Sequence, residues 1–253
     1  MTNAFGAHNY RLGDRPRRRS SRAGNVAAGA DTLAQAIRAY EALQDLELWS
    51  FASAEAQLAA LADDIAYDAH DIDDGLRAEL FTLDDLAEVA LAREMLGHIH
   101  AAHAGLDPVR VGHELVRALI TAMIEDVIAE TGRQLCALAP HSADDVRHAA
   151  HPVGRFSAAM AAADTAIKAF LYSRMYRHAR VARIMAEAEQ VVCDLFARYA
   201  ATPADLPAEW AHGVEARDDE GRLRRIADFI AGMTDRYALV EHARLFDSTP
   251  ELR

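Results

Sequence analysis

Alanine and leucine recur with helical spacing from Asp31 onward. Apolar residues recur there at three- and four-residue intervals, whereas the two-residue alternation of β-branched side chains that marks a strand is rare. Alanine and leucine are also strong helix formers. The pattern therefore predicts an all-α, multi-helix domain over residues 31–253.

Residues that begin and end helices divide this pattern into segments. Ser, Thr and Asp cap helix N-termini, while glycine and proline end helices. The first predicted helices run from Asp31 to about Gln44, from Ser53 to the Gly75 region, from Thr82 to Gly105, and from Asp107-Pro108 to before Pro140. A short helix is predicted to start at Ser142, and a long helix that contains a break is predicted to start at Ser157. Pro203 and Pro207 mark a loop. The last helical segment is RLRRIADFIAGMTDRYALVEHARLF.

Residues 1–30 differ from the rest of the chain. They contain RPRRRSSRAG, have no apolar period, and carry six arginines and one aspartate, which is a net charge of +5. We expect a disordered basic tail, with an arm for nucleic acid or another acidic partner as the alternative. Since the whole chain carries −12, residues 31–253 carry −17, and so acidic a body is a weak candidate for general nucleic-acid binding.

The sequence also bears on location and on cysteine chemistry. No run of about 18 uncharged apolar residues predicts a membrane span, and the N-terminus lacks the apolar core of a secretion signal, so we expect a cytoplasmic protein. Cys136 and Cys193 stand far apart without a CxxC partner, which fits a reducing compartment and excludes a cysteine-based zinc site. We expect both cysteines to be small core residues.

The stretch LADDIAYDAHDIDDG, residues 61–75, holds six aspartates, one tyrosine and one histidine. On a helix with about 100° per residue, its apolar residues fall on one side and a polar stripe runs along the other side for three turns. Asp64 and Asp68 lie at the flank of this stripe. The apolar side consists of Leu58, Leu61, Ile65, Ile72 and Leu76, and the stripe of Asp63, Tyr67, His70, Asp71 and Asp74.

The residues of the stripe leave two interpretations open. The first is a solvated acidic face. The second is a site for Mg²⁺ or Mn²⁺, because no Lys or Arg within the stripe relieves the repulsion between the aspartates, and carboxylate oxygens suit these cations. Aspartate is also a poor residue for a helix interior, which indicates a function. Tyr67 in such a stripe can stack on a sugar or a base.

The segment ADDIAYDAHDIDDGLRAELF resembles the deoxynucleoside triphosphate (dNTP) triphosphohydrolases of the HD superfamily, in particular the bacterial dGTP triphosphohydrolase-like branch. EAQLAALADDIAY, KAFLYSRMYRHARV, LPAEW and RRIADFIAGMTDRYALVEHARLFD look like segments of that branch in the same order. The resemblance covers residues 31–253. It implies an HD-type helical domain and hydrolysis of a dNTP to the deoxynucleoside and triphosphate by metal-assisted attack of water.

The resemblance also implies roles for particular residues. Asp63 would be a ligand of the metal, Mg²⁺ or Mn²⁺. Tyr67 would pack against the deoxyribose, and Asp71 would accept a hydrogen bond from the 3′-hydroxyl. Tyr176, in the motif RMYRH, is a further candidate for the sugar pocket. Because members of the family commonly form oligomers, a homo-oligomer is implied as well.

The chain departs from the family in its metal ligands. The family places a histidine and then a His-Asp pair well upstream of the ADDIAY motif, and here His8 is the only histidine before Asp63. We therefore expect this chain to be the C-terminal portion of a longer enzyme, with an incomplete metal site. A complete site built from His8, His70-Asp71 and Asp126 is a weaker alternative, because the family's pair precedes the aspartate of the ADDIAY motif, whereas His70-Asp71 follows Asp63.

Other polar residues also admit two interpretations. His100 and His103 lie one turn apart, but we expect them to be surface residues, since no acidic cluster is near them in sequence. Lys168 or Arg177 could contact a phosphate, although pairing on helix surfaces is the simpler expectation. Two alternatives to a dNTP hydrolase also follow: a non-catalytic helical module that binds nucleotide or oligomerises, and a remnant of a truncated gene.

Overall fold

The computed structural model describes residue 37, residues 40–214, residues 218–246 and residue 250 of the 253-residue chain. These residues are predominantly helical and contain no β-strand, which confirms the predicted all-α class. Within them, no helix combines the length and the apolar character needed to cross a membrane. The predicted basic tail and most of the predicted helix at 31–44 lie outside the described residues. The chain divides into two compact units, residues 1–172 and 173–253.

The first unit follows the predicted segmentation closely. Ser53, Asp107 and Ser157 each cap a helix, because each side chain accepts a hydrogen bond from a backbone N–H in the first turn. The described helices of this unit are α1 (Ala54–Arg77), α2 (Leu83–Leu86), α3 (Ala90–Ala102), α4 (Pro108–Leu138), α5 (Ala143–Arg147) and α6 (Ala158–Leu171).

The core of the first unit lies where α1 and α3 pack against α4. Ile65 and Ile72 of α1 and Leu115 and Leu119 of α4 are all fully or nearly fully buried. These residues are seven positions apart in α1 and four apart in α4, so each helix turns one apolar side to the other. The predicted apolar side of α1 therefore forms its buried face.

Gly75 allows an aromatic ring to lie directly on the backbone of α1. A Cβ atom at position 75 would lie 2.2 Å from Cε1 of Phe81, which is far inside van der Waals contact. Phe81 in turn packs edge-to-face against Phe170 of α6, with ring centroids 5.0 Å apart. The absence of a side chain at Gly75 is therefore what lets the chain after α1 fold back and reach α6.

The single helix predicted from Thr82 to Gly105 is wrong, because the structure divides it into α2 and α3. Thr82 and Asp85 form a reciprocal capping box that completes the short helix α2. Val89 then adopts an extended conformation and buries its side chain, and α3 starts only after it. The apolar spacing stays helical across one extended residue, so periodicity alone does not reveal the break.

A π-helical segment, Tyr172–Tyr176, follows α6 and contains the boundary between the two units. This segment is the break predicted within the helical run that starts at Ser157. The described helices of the second unit are α7 (Ala179–Ala201), a 3₁₀ turn (Pro203–Asp205), α8 (Ala208–Ala211), α9 (Asp219–Ala231) and α10 (Asp235–Leu245). α9 and α10 pack on α7, around the fully buried Leu195, Tyr199, Val214 and Ile226.

A buried polar network ties α10 to α7 inside the second unit. The Tyr199 hydroxyl donates a 2.8 Å hydrogen bond to Glu241, and Arg244 Nη2 lies 2.7 Å from the same carboxylate. Arg244 also donates to the backbone oxygen of Asp205. The hydrogen bonds from Arg244 lower the pKa of Glu241, although its burial opposes them. The network therefore satisfies a carboxylate that would otherwise be costly to bury.

The prediction that both cysteines are core residues is wrong, because Cys136 and Cys193 are exposed. Along α4 the buried residues recur every fourth position up to Thr131, and Cys136 falls off that line. Along α7 the line runs through Val191 and Leu195, and Cys193 lies on the opposite side. Each cysteine thus lies on the side of its helix that faces away from the core.

Candidate functional site

The predicted polar stripe of α1 lies on the surface of the first unit. Asp63, His70 and Asp74 are exposed, and Asp71 is half-buried. The side chain of Tyr67 is the most unusual member, since this large ring is 61% exposed. Its neighbours at one turn in either direction are Asp63 and Asp71. The structure therefore brings an accessible aromatic ring and two carboxylates onto one helix face, as the spacing predicted.

Asp68 does not lie at the flank of the stripe, as the helical wheel suggested, but on the buried face of α1. Asp68 is only 3% exposed. The spacing of Asp68 from Ile65 and Ile72, three and four residues, is the sequence signal for this position. Because it follows the exposed Tyr67 directly, a rotation of about 100° separates an accessible ring from a buried carboxylate.

The repulsion among the aspartates of α1 is relieved by a cation from another helix. Lys168 of α6 donates hydrogen bonds to Asp64 at 3.4 Å and to Asp164 at 3.0 Å. Of the two interpretations offered for Lys168, the structure thus shows pairing with carboxylates. The prediction that no cation relieves this repulsion is therefore wrong for Asp64, whose partner lies 104 residues away in sequence.

Asp68 has an unusual protonation equilibrium. Burial raises the pKa of Asp68 to about 8, the positive charge of Lys168 opposes this rise, and the neighbouring Asp164 and Asp64 add to it. One of its oxygens, Oδ2, is buried and accepts no hydrogen bond from any residue that the structure describes. A buried carboxyl group with so high a pKa is a feature that the sequence interpretation missed.

The described residues do not fit a divalent cation as a bound cofactor. Among them, no group of three or more His, Cys, Asp or Glu side chains is arranged to hold a metal ion. Asp63, the predicted ligand, is exposed, and His8 lies outside the described residues.

The alternative site of His8, His70-Asp71 and Asp126 finds no support in the position of Asp126. Its carboxylate accepts two hydrogen bonds from Ser157, from the backbone N–H at 2.8 Å and from the hydroxyl at 2.6 Å. Ser157 is the N-cap of α6, so Asp126 joins α4 to the start of that helix. This connection is a structural role that the sequence pattern did not indicate.

The remaining candidate residues lie on surfaces. His100 and His103 are exposed, as expected for surface residues. Tyr176 is 38% exposed at the end of the π-helical segment, and it belongs to the second unit. A separate cleft of about 590 Å³ lies at the C-terminal end of α1, where Leu76, Phe81 and Val109 contribute to its lining. Tyr67 and its neighbouring carboxylates are not part of that cleft.

Comparisons with known proteins bear on this arrangement. A profile of the phosphohydrolase-associated domain matches residues 154–244. The chain is also similar to proteins described as deoxyguanosinetriphosphate triphosphohydrolase-like. The protein from Bradyrhizobium diazoefficiens is 56% identical over 217 residues, which are 86% of this chain and 54% of the relative. The one from Azorhizobium caulinodans is 53% identical over 228 residues, 90% of this chain and 57% of the relative.

A third relative, from Rhodopseudomonas palustris strain BisB18, is 58% identical over 211 residues, which are 83% of this chain and 52% of that protein. The chain thus spans about half the length of the curated relatives it matches. Identity above 50% over this length, together with the matching domain profile, agrees with the motifs identified in the sequence. By its sequence, this chain is similar, over about half of their length, to the deoxyguanosinetriphosphate triphosphohydrolase-like proteins, and it carries a segment that matches the phosphohydrolase-associated domain.

Proposed function

We propose that this chain provides the deoxynucleoside-contacting helix of a phosphohydrolase that converts a dNTP, such as dGTP, to the deoxynucleoside and triphosphate. The observation that carries the proposal is the exposed Tyr67 ring on α1, with Asp63 and Asp71 one turn to either side. The family names of the relatives support the choice of substrate class.

The chemistry of this helix face suits a deoxynucleoside. An exposed aromatic ring offers an apolar surface to the sugar, where the missing 2′-hydroxyl leaves carbon and hydrogen in contact. Asp71, one turn along, is an acceptor for the 3′-hydroxyl. In these roles the residues neither transfer a proton nor form a covalent bond. They bind and orient the ligand.

Mg²⁺ or Mn²⁺ is the cofactor that we propose for the hydrolysis, with Asp63 as the ligand from this chain. The described residues gather no further donors for it. The proposal for the chain itself is therefore confined to contacts with the deoxynucleoside, and hydrolysis is a proposal for the whole protein.

Binding of dGTP by the purified chain, measured by isothermal titration calorimetry, tests this proposal. We expect Tyr67→Ala to weaken binding by about tenfold, since loss of one aromatic contact costs about 1–2 kcal/mol. Tyr237→Ala is the matched control, because Tyr237 is a partly exposed tyrosine of α10 in the second unit. Equal affinity of the wild-type chain and the Tyr67→Ala variant for dGTP would overturn the proposal.

Release of inorganic triphosphate tests whether the chain itself hydrolyses dGTP. The chain is incubated with dGTP and either Mg²⁺ or Mn²⁺, and inorganic triphosphate is quantified. Turnover that Asp63→Ala abolishes would assign hydrolysis to this chain. Binding of dGTP without turnover is the result expected for this chain, whose described residues gather no further metal donors, and it also fits the alternative of a non-catalytic nucleotide-binding module.

We also propose that the chain self-associates. Ile124 and Ile128, one turn apart on α4, are 42% and 67% exposed, and such a pair forms an apolar patch that a second copy can cover. Light scattering after size exclusion should give a mass above the 27.7 kDa of one chain. Ile128→Glu should shift that mass toward a single chain, and a monomeric wild-type chain would contradict the proposal.

A further inference from the structure

The most unusual buried group in the described part of the first unit is the side chain of Asp68. It lies between α1 and α6, close enough to Asp164 for the two carboxyl groups to hydrogen-bond when one of them is protonated. Oδ2 of Asp68 and Oδ1 of Asp164 are both buried, and neither accepts a hydrogen bond from any described residue. Each carboxyl group thus buries one oxygen without a donor among the described residues, and a proton held between the two groups would provide a donor.

Lys168 supplies one positive charge to this cluster. It donates to Oδ2 of Asp164 and lies equally close, 3.0 Å, to Oδ1 without hydrogen-bond geometry. It also donates to Asp64 at 3.4 Å. One ammonium group therefore faces three carboxyl groups. If all three were ionised, the buried cluster would carry a net charge of −2, which is costly in a poorly hydrated site.

We propose that Asp68 and Asp164 share one proton at neutral pH, and that this carboxyl pair, together with Lys168, is a pH-sensitive tie between α1 and α6. The proton makes one carboxyl group a donor to the other, which satisfies both orphan oxygens at once. The inference is independent of the proposed nucleotide chemistry, because it concerns the contact between two helices on the buried face of α1.

The groups that face Asp68 are identified from every helix packed on α1. Lys168 and Asp164 belong to α6, and Asp64 belongs to α1 itself. The buried residues that α4 and α5 contribute carry no charge: they are Val111, Gly112, Leu115, Leu119, Met123, Val127 and Thr131 of α4, and Val146 of α5. Lys168 is the only cation among the described charges that act on Asp68.

The electrostatics agree with this geometry. Burial, the largest cause, and the neighbouring Asp164 raise the pKa of Asp68 to about 8 against the opposing charge of Lys168. Burial alone would lower the pKa of Lys168, but the hydrogen bond and charge of Asp164, followed by Asp68 and Asp64, outweigh it and raise that pKa. The cluster thus favours a protonated Asp68 beside a charged Lys168.

A raised carboxyl pKa fixes the direction of the pH dependence. The folded chain holds a proton that the unfolded chain releases, so the stabilisation is complete below the unfolded pKa of 3.8 and is lost as the pH rises through about 8. The contribution of this tie to stability therefore declines as the pH rises from 3.8 to about 8, although the folded chain keeps the shared proton up to about pH 8.

Carbon-13 NMR of the full chain, labelled at the aspartate carboxyl carbon, tests the proposal. We expect one aspartate to titrate with a midpoint near 8. Asp68→Asn should remove that titration, and Asp164→Asn should lower its midpoint by at least about one pH unit, because a hydrogen bond and a negative charge are lost. Asp74→Asn, an exposed aspartate on the same helix, should leave the midpoint unchanged.

Two results would overturn the proposal. The first is a wild-type spectrum in which every aspartate titrates below about pH 5, and the second is a titration near 8 that survives Asp68→Asn. Urea unfolding adds an independent readout, since Asn is a close mimic of the protonated acid. Between pH 5 and pH 7, the unfolding constant of the wild-type chain relative to Asp68→Asn should rise about tenfold per pH unit, and a constant ratio would contradict the shared proton.

Discussion

The hydroxyl of Tyr199 donates a 2.8 Å hydrogen bond to the carboxylate of Glu241, 42 residues further along the chain. Since Tyr199 is fully buried, water cannot replace this bond. We expect Tyr199→Phe to lower the free energy of unfolding by about 1–3 kcal/mol, because a buried carboxylate loses one of its donors. Urea denaturation of both forms measures the loss. Tyr237→Phe, which alters a partly exposed tyrosine of α10, should change stability by less than about 0.5 kcal/mol.

The same carboxylate should make the second unit sensitive to acid. Arg244 lowers the pKa of Glu241, so the ionised group adds stability above its unfolded pKa of 4.5, and this stability is lost as the pH falls through the lower folded pKa. We expect the difference in melting temperature between wild type and Glu241→Gln to shrink between pH 6 and pH 3. Glu220→Gln, at an exposed position of α9, is the control, and a difference independent of pH would contradict the prediction.

The contact between Gly75 and Phe81 predicts an asymmetry between two glycines in helices. Gly75→Ala would place Cβ 2.2 Å from the Phe81 ring, and we expect a loss of about 1–3 kcal/mol from the displaced aromatic packing. At Gly97 of α3 nothing lies within 4 Å of the added Cβ, so Gly97→Ala should gain about 0.5–1 kcal/mol from helix propensity. Thermal denaturation of the two variants measures both changes. A gain in stability for Gly75→Ala similar to that of Gly97→Ala would show instead that the Phe81 ring moves aside easily.

The position of Lys168 predicts that its positive charge contributes more to stability than the length of its side chain. Lys168→Met keeps most of the apolar side chain but leaves Asp64 and Asp164 without their shared cation, and we expect a loss of about 1–3 kcal/mol at pH 7. Lys168→Arg keeps the charge and should lose less.

A double variant separates charge from packing in this cluster. Lys168→Met combined with Asp164→Asn should cost less than the sum of the two single changes, because the second change removes a carboxylate that the first has left unpaired. The unfolding free energies of the four proteins give the coupling directly. Strict additivity would contradict the pairing seen between Lys168 and Asp164.

The proposed role of Asp71 predicts a dependence on one hydroxyl of the ligand. We expect Asp71→Ala to weaken binding of dGTP by about tenfold, which corresponds to the loss of one hydrogen bond to a charged acceptor. Binding of the 2′,3′-dideoxy analogue, which lacks the 3′-hydroxyl, should be unaffected by the substitution. Calorimetric titration of both ligands into both proteins makes the comparison. An equal loss for the two ligands would assign Asp71 a role other than recognition of the 3′-hydroxyl.

The helices whose signals are local were predictable from the sequence. Ser53 and Asp107 cap α1 and α4 through atoms within three residues, so the sequence around them contains the whole signal. The break at Val89 was not predictable by periodicity, because a single extended residue hardly disturbs the apolar spacing. The exposed positions of Cys136 and Cys193 were open to prediction, since each lies off the buried line of its own helix.

The candidate site, too, was only partly predictable from the sequence. The exposed face that carries Tyr67 follows from a single helix, and the wheel predicted it. The partners of the buried face do not follow, because Lys168 meets Asp64 across 104 residues of sequence and the position of α6 depends on the whole fold. The environment of Asp68 was predictable in part. Its spacing from Ile65 indicated burial, but only the fold brings Asp164 beside it.

Lys168 is the only lysine among the 253 residues, so it carries the only side-chain primary amine of the protein. An amine-selective reagent therefore has a single side-chain target. The surrounding carboxylates raise the pKa of that amine and keep it in the unreactive ammonium form, and three-quarters of its side chain is shielded from solvent. The rate of acylation at Lys168 consequently reports, without any introduced label, how firmly α1 and α6 are held together.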